Sequence, residues 1–164
     1  MRMRGDMTYI EDMSETERES WVILIADSAI LLWFWQKMTH GWNIQPHAMS
    51  LDDFGSLIIQ MIVLTVIVHA VISSFFEVRK SKGELDRDER DREIERKGSH
   101  SGYRLLQFGV GSVIFIMFMT YGLEEDYQSV IRIKTPVEII YYLLLVSYAA
   151  DLLKHGVMIH AYWR

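Results

Sequence analysis

The apolar run at residues 55–76 limits most strongly what this chain can fold into. Its 22 residues contain no Lys, Arg, Asp or Glu. A helix rises about 1.5 Å per residue, so a run of this length can cross a hydrocarbon core of about 30 Å. Helices of soluble proteins rarely lack charge over such a length. The run therefore predicts a membrane-spanning helix.

Three further apolar runs have lengths that also suit a membrane span, and they lie at residues 21–38, 105–123 and 137–155. Ser14 and Glu17 match a capping box that would start the first helix before the membrane. Pro136 stands where proline is tolerated at the start of the fourth helix. Gly109 and Gly111 would permit close contact between helices. The sequence therefore predicts an all-α, four-span transmembrane helical bundle.

A charged stretch at residues 77–104 joins the two halves of the chain, with nine Lys/Arg and eight Asp/Glu. Residues 84–97 contain no Gly or Pro and are mostly good helix formers. We expect a charged cytoplasmic helix between spans two and three, capped by Gly98 and followed by a turn at residues 99–102. It is either a solvated spacer or a docking surface for a partner or lipid headgroups. The docking candidates are Asp88, Glu89, Arg90, Asp91, Arg92 and Ile94.

The distribution of Lys and Arg predicts the orientation. Nine of them lie in the central stretch, whereas residues 39–53 contain none. Because basic residues favour the cytoplasmic side, we expect both termini and the central stretch in the cytoplasm, as in a bacterial inner-membrane protein. The chain then divides into an N-terminal cytoplasmic segment, a first transmembrane hairpin, the charged stretch, and a second hairpin with its tail. These are residues 1–20, 21–76, 77–104 and 105–164.

Part of the charged stretch matches a pattern found elsewhere. Residues 88–103 read DERDREIERKGSHSGY. Asp88 to Asp91 form an Asp-Glu-Arg-Asp element, Ile94 follows three positions on, and Tyr103 enters the next span. This pattern resembles a motif in a domain-of-unknown-function family of small bacterial multi-pass membrane proteins. The resemblance implies a membrane setting and implies no activity.

Three ionisable residues lie inside predicted spans. Helical rise places Asp27, His69 and Asp151 about 9, 10 and 6 Å from the cytoplasmic edge, and Gln107 enters near the same layer. Because a charge inside a membrane is expensive, each needs a reason to be there. The layer is a structural polar cluster, a proton or cation relay, or a metal site. For a metal, His155 stands one turn from Asp151, and the mixed nitrogen and oxygen donors suit zinc or iron.

Other classes of function lack the residues they need. The chain has no Cys, which excludes disulfides, thiolate metal sites, iron–sulfur clusters and Cys nucleophiles. The net charge of −5 provides no basic field for nucleic acid. We find no nucleotide-binding loop, nucleophile elbow or metalloprotease motif. We therefore expect no enzyme activity and no catalytic residues. We expect no haem, because His69 and His155 differ in depth by several residues, and a divalent metal is the one cofactor that the pattern suggests.

Two functions remain open. The first is an accessory or regulatory membrane protein that acts through helix contacts and its charged cytoplasmic stretch. The second is a small proton- or metal-ion-linked transporter, or an ion-conducting oligomer, that uses the Asp/His layer. Either requires the lipid bilayer, and we expect the partner to be a second copy of the chain or another membrane protein.

Overall fold

Four helices account for most of the chain in a computed structural model, which describes residues 13–39, 43–80, 89–122 and 133–164. They are α1 (Glu15–Met38), α2 (Leu51–Lys80), α3 (Glu89–Gly122) and α4 (Pro136–Tyr162). All four are long and apolar enough to cross a membrane. The prediction of an all-α chain with four helices of membrane-spanning length is confirmed.

Side-chain caps fix the starts of two helices. Ser14 is the N-cap of α1, and its hydroxyl accepts a hydrogen bond from the backbone N–H of Glu17 at 3.1 Å. Thr135 caps α4 in a full capping box with Glu138, and Pro136 follows at the first helical position. Each cap supplies an acceptor for an N–H group that the helix cannot pair internally. Both starts were predicted from the sequence.

The charged stretch does not end at a turn. Helix α3 runs without a break through residues 98–102, so the predicted Gly98 cap and the turn after it are wrong. The first turns of α3 are instead continuous with the third apolar run. Residues 81–88, which include Asp88 and the first part of the predicted charged helix, lie outside the described residues.

Close packing against α4 explains three of the glycines of α3. A Cβ atom at Gly98 would lie 2.8 Å from the carbonyl oxygen of Lys154, and one at Gly102 would lie 2.8 Å from that of Ala150. At Gly109 an added Cβ would clash with Val146. The prediction of close contact is therefore confirmed for Gly109.

The same prediction is wrong for Gly111. An added Cβ there meets nothing within 4 Å among the described residues, because this glycine is on the outward side of α3. The two close contacts that the prediction missed are those of Gly98 and Gly102.

Helix α4 lies between two neighbours: it packs along α3 and against α1, and α1 in turn packs against α2. The apolar core fills the half of the bundle where α1 ends and α4 begins, and it includes Phe34, Met38, Met61 and Tyr141. The outer side of α2 exposes apolar side chains such as Ile62 and Val66, as expected of lipid contact. The polar residues inside the bundle lie toward its opposite end, where α1 and α3 begin.

Candidate metal centre

Asp27, His69 and Asp151 converge. One donor atom from each lies within 4.8 Å of the other two. The three residues come from α1, α2 and α4, so no single helix could assemble the group. Asp27 is on the inner side of α1, with 2 % of its surface exposed, whereas His69 and Asp151 are half-buried. The sequence placed these three residues in one layer, and the structure brings their donor atoms together.

Hydrogen bonding fixes which nitrogen of His69 carries a proton. Its Nδ1 lies 3.1 Å from the carbonyl oxygen of Thr65, one turn earlier on α2. A carbonyl oxygen only accepts, so we infer that Nδ1–H donates. In a neutral ring Nε2 then carries a lone pair and can only accept a hydrogen bond. This atom lies 3.4 Å from Oδ1 of Asp27. Two acceptors thus face each other unless a positive charge lies between them or on the ring.

The buried carboxylate of Asp27 is incompletely hydrogen-bonded among the described residues. Among the described residues its Oδ1 is buried and accepts no hydrogen bond. Burying a polar oxygen without a partner is costly, and burying a charged one is more so. Asp151 adds a second carboxylate within the same 4.8 Å. Two carboxylates and an imidazole nitrogen form a donor set that attracts a cation.

His155 stands beside this cluster and outside the group of three. Its Nε2 lies 3.7 Å from Oδ2 of Asp151, one turn earlier on α4. The side chain is 6 % exposed, and within the described part of the chain its Nδ1 is buried with no hydrogen-bond partner. The sequence placed His155 among the ligands. The structure places it beside Asp151 and outside the group of three.

A hydrogen bond that sequence reasoning missed holds α2 to α4 near the cluster. The hydroxyls of Thr65 and Tyr148 lie 2.6 Å apart. Thr65 is one turn from His69, and Tyr148 is one turn from Asp151, so this bond fixes both helices next to their ligands. Partners of this kind orient metal ligands. The available signal was the i,i+4 and i,i+3 spacing of polar residues on otherwise apolar helices.

A cavity of about 250 Å³ adjoins the cluster. It lies between the first turns of α1 and the last turns of α4, and His69 and Asp151 are in its wall. Its remaining lining residues are Thr16, Glu19, Ser20, Ile23, Glu95, Lys154, His155 and Met158. Polar groups therefore connect the cluster to the end of the bundle where α1 and α3 begin.

Gln107 does not join the layer. It lies on the exposed side of α3, and its amide donates a hydrogen bond to the hydroxyl of Tyr103 at 2.9 Å. Its predicted role as a buried polar or proton-relay residue is wrong. The estimate of depth along the helix was compatible with the layer, but the rotation of α3 turns the side chain outward.

The predicted docking residues divide between two sides of α3. Ile94 is 4 % exposed and packs inside the bundle. Asp91 accepts a hydrogen bond from the hydroxyl of Tyr162 at 2.7 Å. Glu89, Arg90 and Arg92 are exposed. A partner could therefore reach the last three, while the first two hold α3 within the bundle.

Polar and aromatic side chains pack together at the end of the bundle where α1 and α3 begin. We call this group the collar, and it consists of Glu17, Trp21, Tyr162 and Trp163. The sequence did not predict it. Trp21 and Trp163 are in ring contact with centroids 6.3 Å apart. Glu17 is buried beneath them at 7 % exposure, and this burial raises the pKa of its carboxyl above 4.5. A hydrogen bond to Trp163 and the charge of Arg90 oppose that rise in pKa. Burial also raises the pKa of Tyr162 to about 12, assisted by its bond to Asp91.

Comparisons with family models, with curated proteins and with solved structures found no match to this chain. The resemblance of residues 88–103 to a bacterial membrane-protein motif therefore stays a prediction from the sequence.

Proposed function

We propose that this chain is an integral membrane protein that binds a divalent transition-metal cation at Asp27, His69 and Asp151. The observation that carries the proposal is the approach of Nε2 of His69 to Oδ1 of Asp27 at 3.4 Å, with Nδ1 of the same ring directed to a carbonyl oxygen. A cation between the two acceptors satisfies both of them. It also neutralises part of the charge of the neighbouring Asp151 carboxylate.

The donor set favours one class of cation. One imidazole nitrogen and two carboxylates suit zinc, iron(II) or manganese(II) better than calcium or magnesium, which prefer oxygen donors alone. Three protein ligands also leave a coordination position for water. The adjoining cavity could supply that water. The proposal assigns binding and includes no catalytic step.

The setting follows from the sequence. We place the end of the bundle with Ser14, Glu89 and Tyr162 in the cytoplasm of a bacterial cell, because the Lys and Arg residues favour that orientation. The resemblance of residues 88–103 to a motif of bacterial membrane proteins supports the same setting. In this arrangement the metal site lies in the cytoplasmic leaflet and serves either transport of the cation or its detection.

Titration of the purified protein in detergent tests the proposal. We expect one Zn²⁺ per chain, measured by calorimetry and by metal analysis after desalting. Asp27→Asn and His69→Gln should each lower the affinity at least tenfold, because the amides are poorer ligands. The matched controls are Asp52→Asn and His160→Gln, exposed residues far from the cluster, and both should bind as the parent protein does.

A proton in place of the metal is the alternative outcome. The protein would then bind no Zn²⁺, and Asp27→Asn would leave this result unchanged. Equal Zn²⁺ binding by the parent protein and Asp27→Asn would refute the metal centre.

A second candidate function rests on the exposed start of α3. Glu89, Arg90 and Arg92 are exposed on a helix that continues into the apolar run. A partner bound there would be coupled to the membrane part through one continuous helix. An accessory or regulatory role follows if Arg90→Glu with Arg92→Glu abolishes co-purification of a membrane partner, or of a second copy, without changing thermal stability. Retained co-purification would remove this role.

A further inference from the structure

The cavity beside the metal centre has the size and charge of a cation entrance. Its volume of about 250 Å³ corresponds to about eight water molecules at about 30 Å³ each. A divalent ion with much of its hydration shell therefore fits. The carboxylates of Glu19, Glu95 and Asp151 and the ammonium group of Lys154 line it, so acidic side chains outnumber Lys and Arg among its described lining residues. Such a lining concentrates cations.

The cavity has an outer and an inner end. Glu19 belongs to the second turn of α1 and Glu95 to the second turn of α3, so both lie toward the end of the bundle where these helices begin. His69 and Asp151 form the inner part of the wall and also belong to the metal centre. A cation that enters passes the two glutamates before it reaches its ligands.

The opposite side of the metal centre is closed by apolar packing. One turn beyond Asp27, Ile30 is 5 % exposed, and one turn further Phe34 is fully buried. Met61 of α2 is 2 % exposed at the same level, and the rings of Phe34 and Tyr141 lie 6.0 Å apart. Within the described residues, this layer offers a hydrated cation no carboxylate or imidazole. Crossing it would require dehydration without replacement ligands.

We infer that the metal centre is loaded and emptied from one side of the membrane only, through the cavity, with Glu19 and Glu95 as its entrance carboxylates. The inference rests on the proposed metal binding and makes the site a detector of the cation on the side where α1 and α3 begin. The class of ligand is a partly hydrated divalent transition-metal ion. At the metal centre, His69 and the two aspartates replace part of the ion's remaining water ligands.

Sealed proteoliposomes test the sidedness. The chain has no Cys, so the single variants Ser50→Cys and Ser99→Cys, at exposed positions near opposite ends of the bundle, report which end faces outward. Zn²⁺ is added outside, and a fluorescent chelator is enclosed. We expect the fraction of Ser99→Cys chains that bind Zn²⁺ to equal the fraction whose thiol is accessible from outside. We also expect no increase in the fluorescence of the enclosed chelator.

Two results would overturn one-sided loading. One is Zn²⁺ binding by those Ser50→Cys chains whose thiol is accessible from outside, since their cavity faces the vesicle interior. The other is a chelator signal above that of empty vesicles, which would show that the cation crosses the apolar layer.

The entrance carboxylates are tested by binding kinetics in detergent. Glu95→Gln should slow Zn²⁺ association about three- to tenfold, because one charge of the steering field is removed. Glu93→Gln is the matched control, since Glu93 is an exposed carboxylate of the same helix that does not line the cavity. Equal association rates for the parent protein and Glu95→Gln would contradict the entrance role. A parent protein that binds no Zn²⁺ in detergent, where both ends are accessible, would instead remove the metal centre itself.

Discussion

Nε2 of His69 lies 3.4 Å from Oδ1 of Asp27, and this pair joins α2 to α1 within the bundle. Thr65 holds the other ring nitrogen through its carbonyl oxygen at 3.1 Å. Attraction between the two side chains therefore depends on a proton or a cation, because a neutral ring with this tautomer presents only a lone pair. On the proposed function, cation binding would therefore strengthen the packing of α2 against α1 through this contact.

The bond between Thr65 and Tyr148 should stabilise both the bundle and its metal site. Thr65→Val with Tyr148→Phe in a double-mutant cycle should give a coupling energy of about 0.6 kcal/mol, the average for hydrogen bonds between membrane helices, and at most about 1.7 kcal/mol. Each single change should also weaken Zn²⁺ binding about tenfold, because the ligand helices lose a fixed contact. Unfolding in mixed detergent and calorimetry measure the two effects.

Thr120 provides the control for this cycle. Its hydroxyl donates to the carbonyl of Ile116 within α3 and has no bond across helices among the described residues. Thr120→Val should therefore show no coupling to Tyr148→Phe and no change in metal affinity. A coupling energy near zero for the Thr65 and Tyr148 pair would show that their 2.6 Å contact does not hold the helices.

The glycines of α3 should respond to alanine according to the side of the helix they occupy. Gly102→Ala places a Cβ 2.8 Å from the backbone oxygen of Ala150, which cannot move without shifting α4. Overpacking of this kind costs about 1–3 kcal/mol. Gly111→Ala meets nothing within 4 Å in the described structure and should be neutral or slightly stabilising, because alanine is the better helix former. Equal loss of stability in the two variants would contradict close packing at Gly102.

These glycines show where sequence reasoning stopped. A glycine after a charged helical run is equally suited to cap that helix or to let another helix approach, and the sequence alone favoured the cap. Only the position of α4 decides between the two. The cap at Ser14 was predictable because its partner Glu17 lies three residues along the chain. A contact between distant helices has no such local signal.

The convergence of Asp27, His69 and Asp151 was predictable in part for a related reason. The depth of a residue follows from its distance along the helix, so Asp27 and His69 were correctly placed in one layer. The rotation of each helix does not follow from depth. Gln107 shares the layer and nevertheless lies on the exposed side of α3. Rotation depends on packing, here on Gly98 and Gly102 against α4.

The orientation of the bundle remains a prediction, and labelling of intact cells would test it. Because Lys and Arg are concentrated near the end where α1 and α3 begin, a membrane-impermeant thiol reagent should modify the Ser50→Cys variant and leave Ser99→Cys unmodified. Both positions are exposed, so burial does not explain a difference. Lysed cells provide the control, since both variants should then react. Labelling of Ser99→Cys in intact cells would reverse the orientation and place the cavity outside.

The burial of Glu17 should make stability depend on pH in one direction. Burial raises the pKa of its carboxyl in the folded state above the ordinary 4.5, so the folded state holds the proton more tightly than the unfolded one. This contribution to stability is fully present below pH 4.5. It is lost as the pH rises through the folded pKa.

Glu17→Gln removes this dependence and retains an oxygen that can accept from the indole N–H of Trp163. We expect the variant to exceed the parent in unfolding free energy at pH 7 and the difference to shrink as the pH falls to 4.5. Glu93→Gln is the control with the opposite sign, because Lys97 lowers the pKa of the exposed Glu93 carboxyl. Its effect at pH 7 should be a small loss. A Glu17→Gln difference that is constant between pH 4.5 and 7 would show that burial of the charge does not govern this end of the bundle.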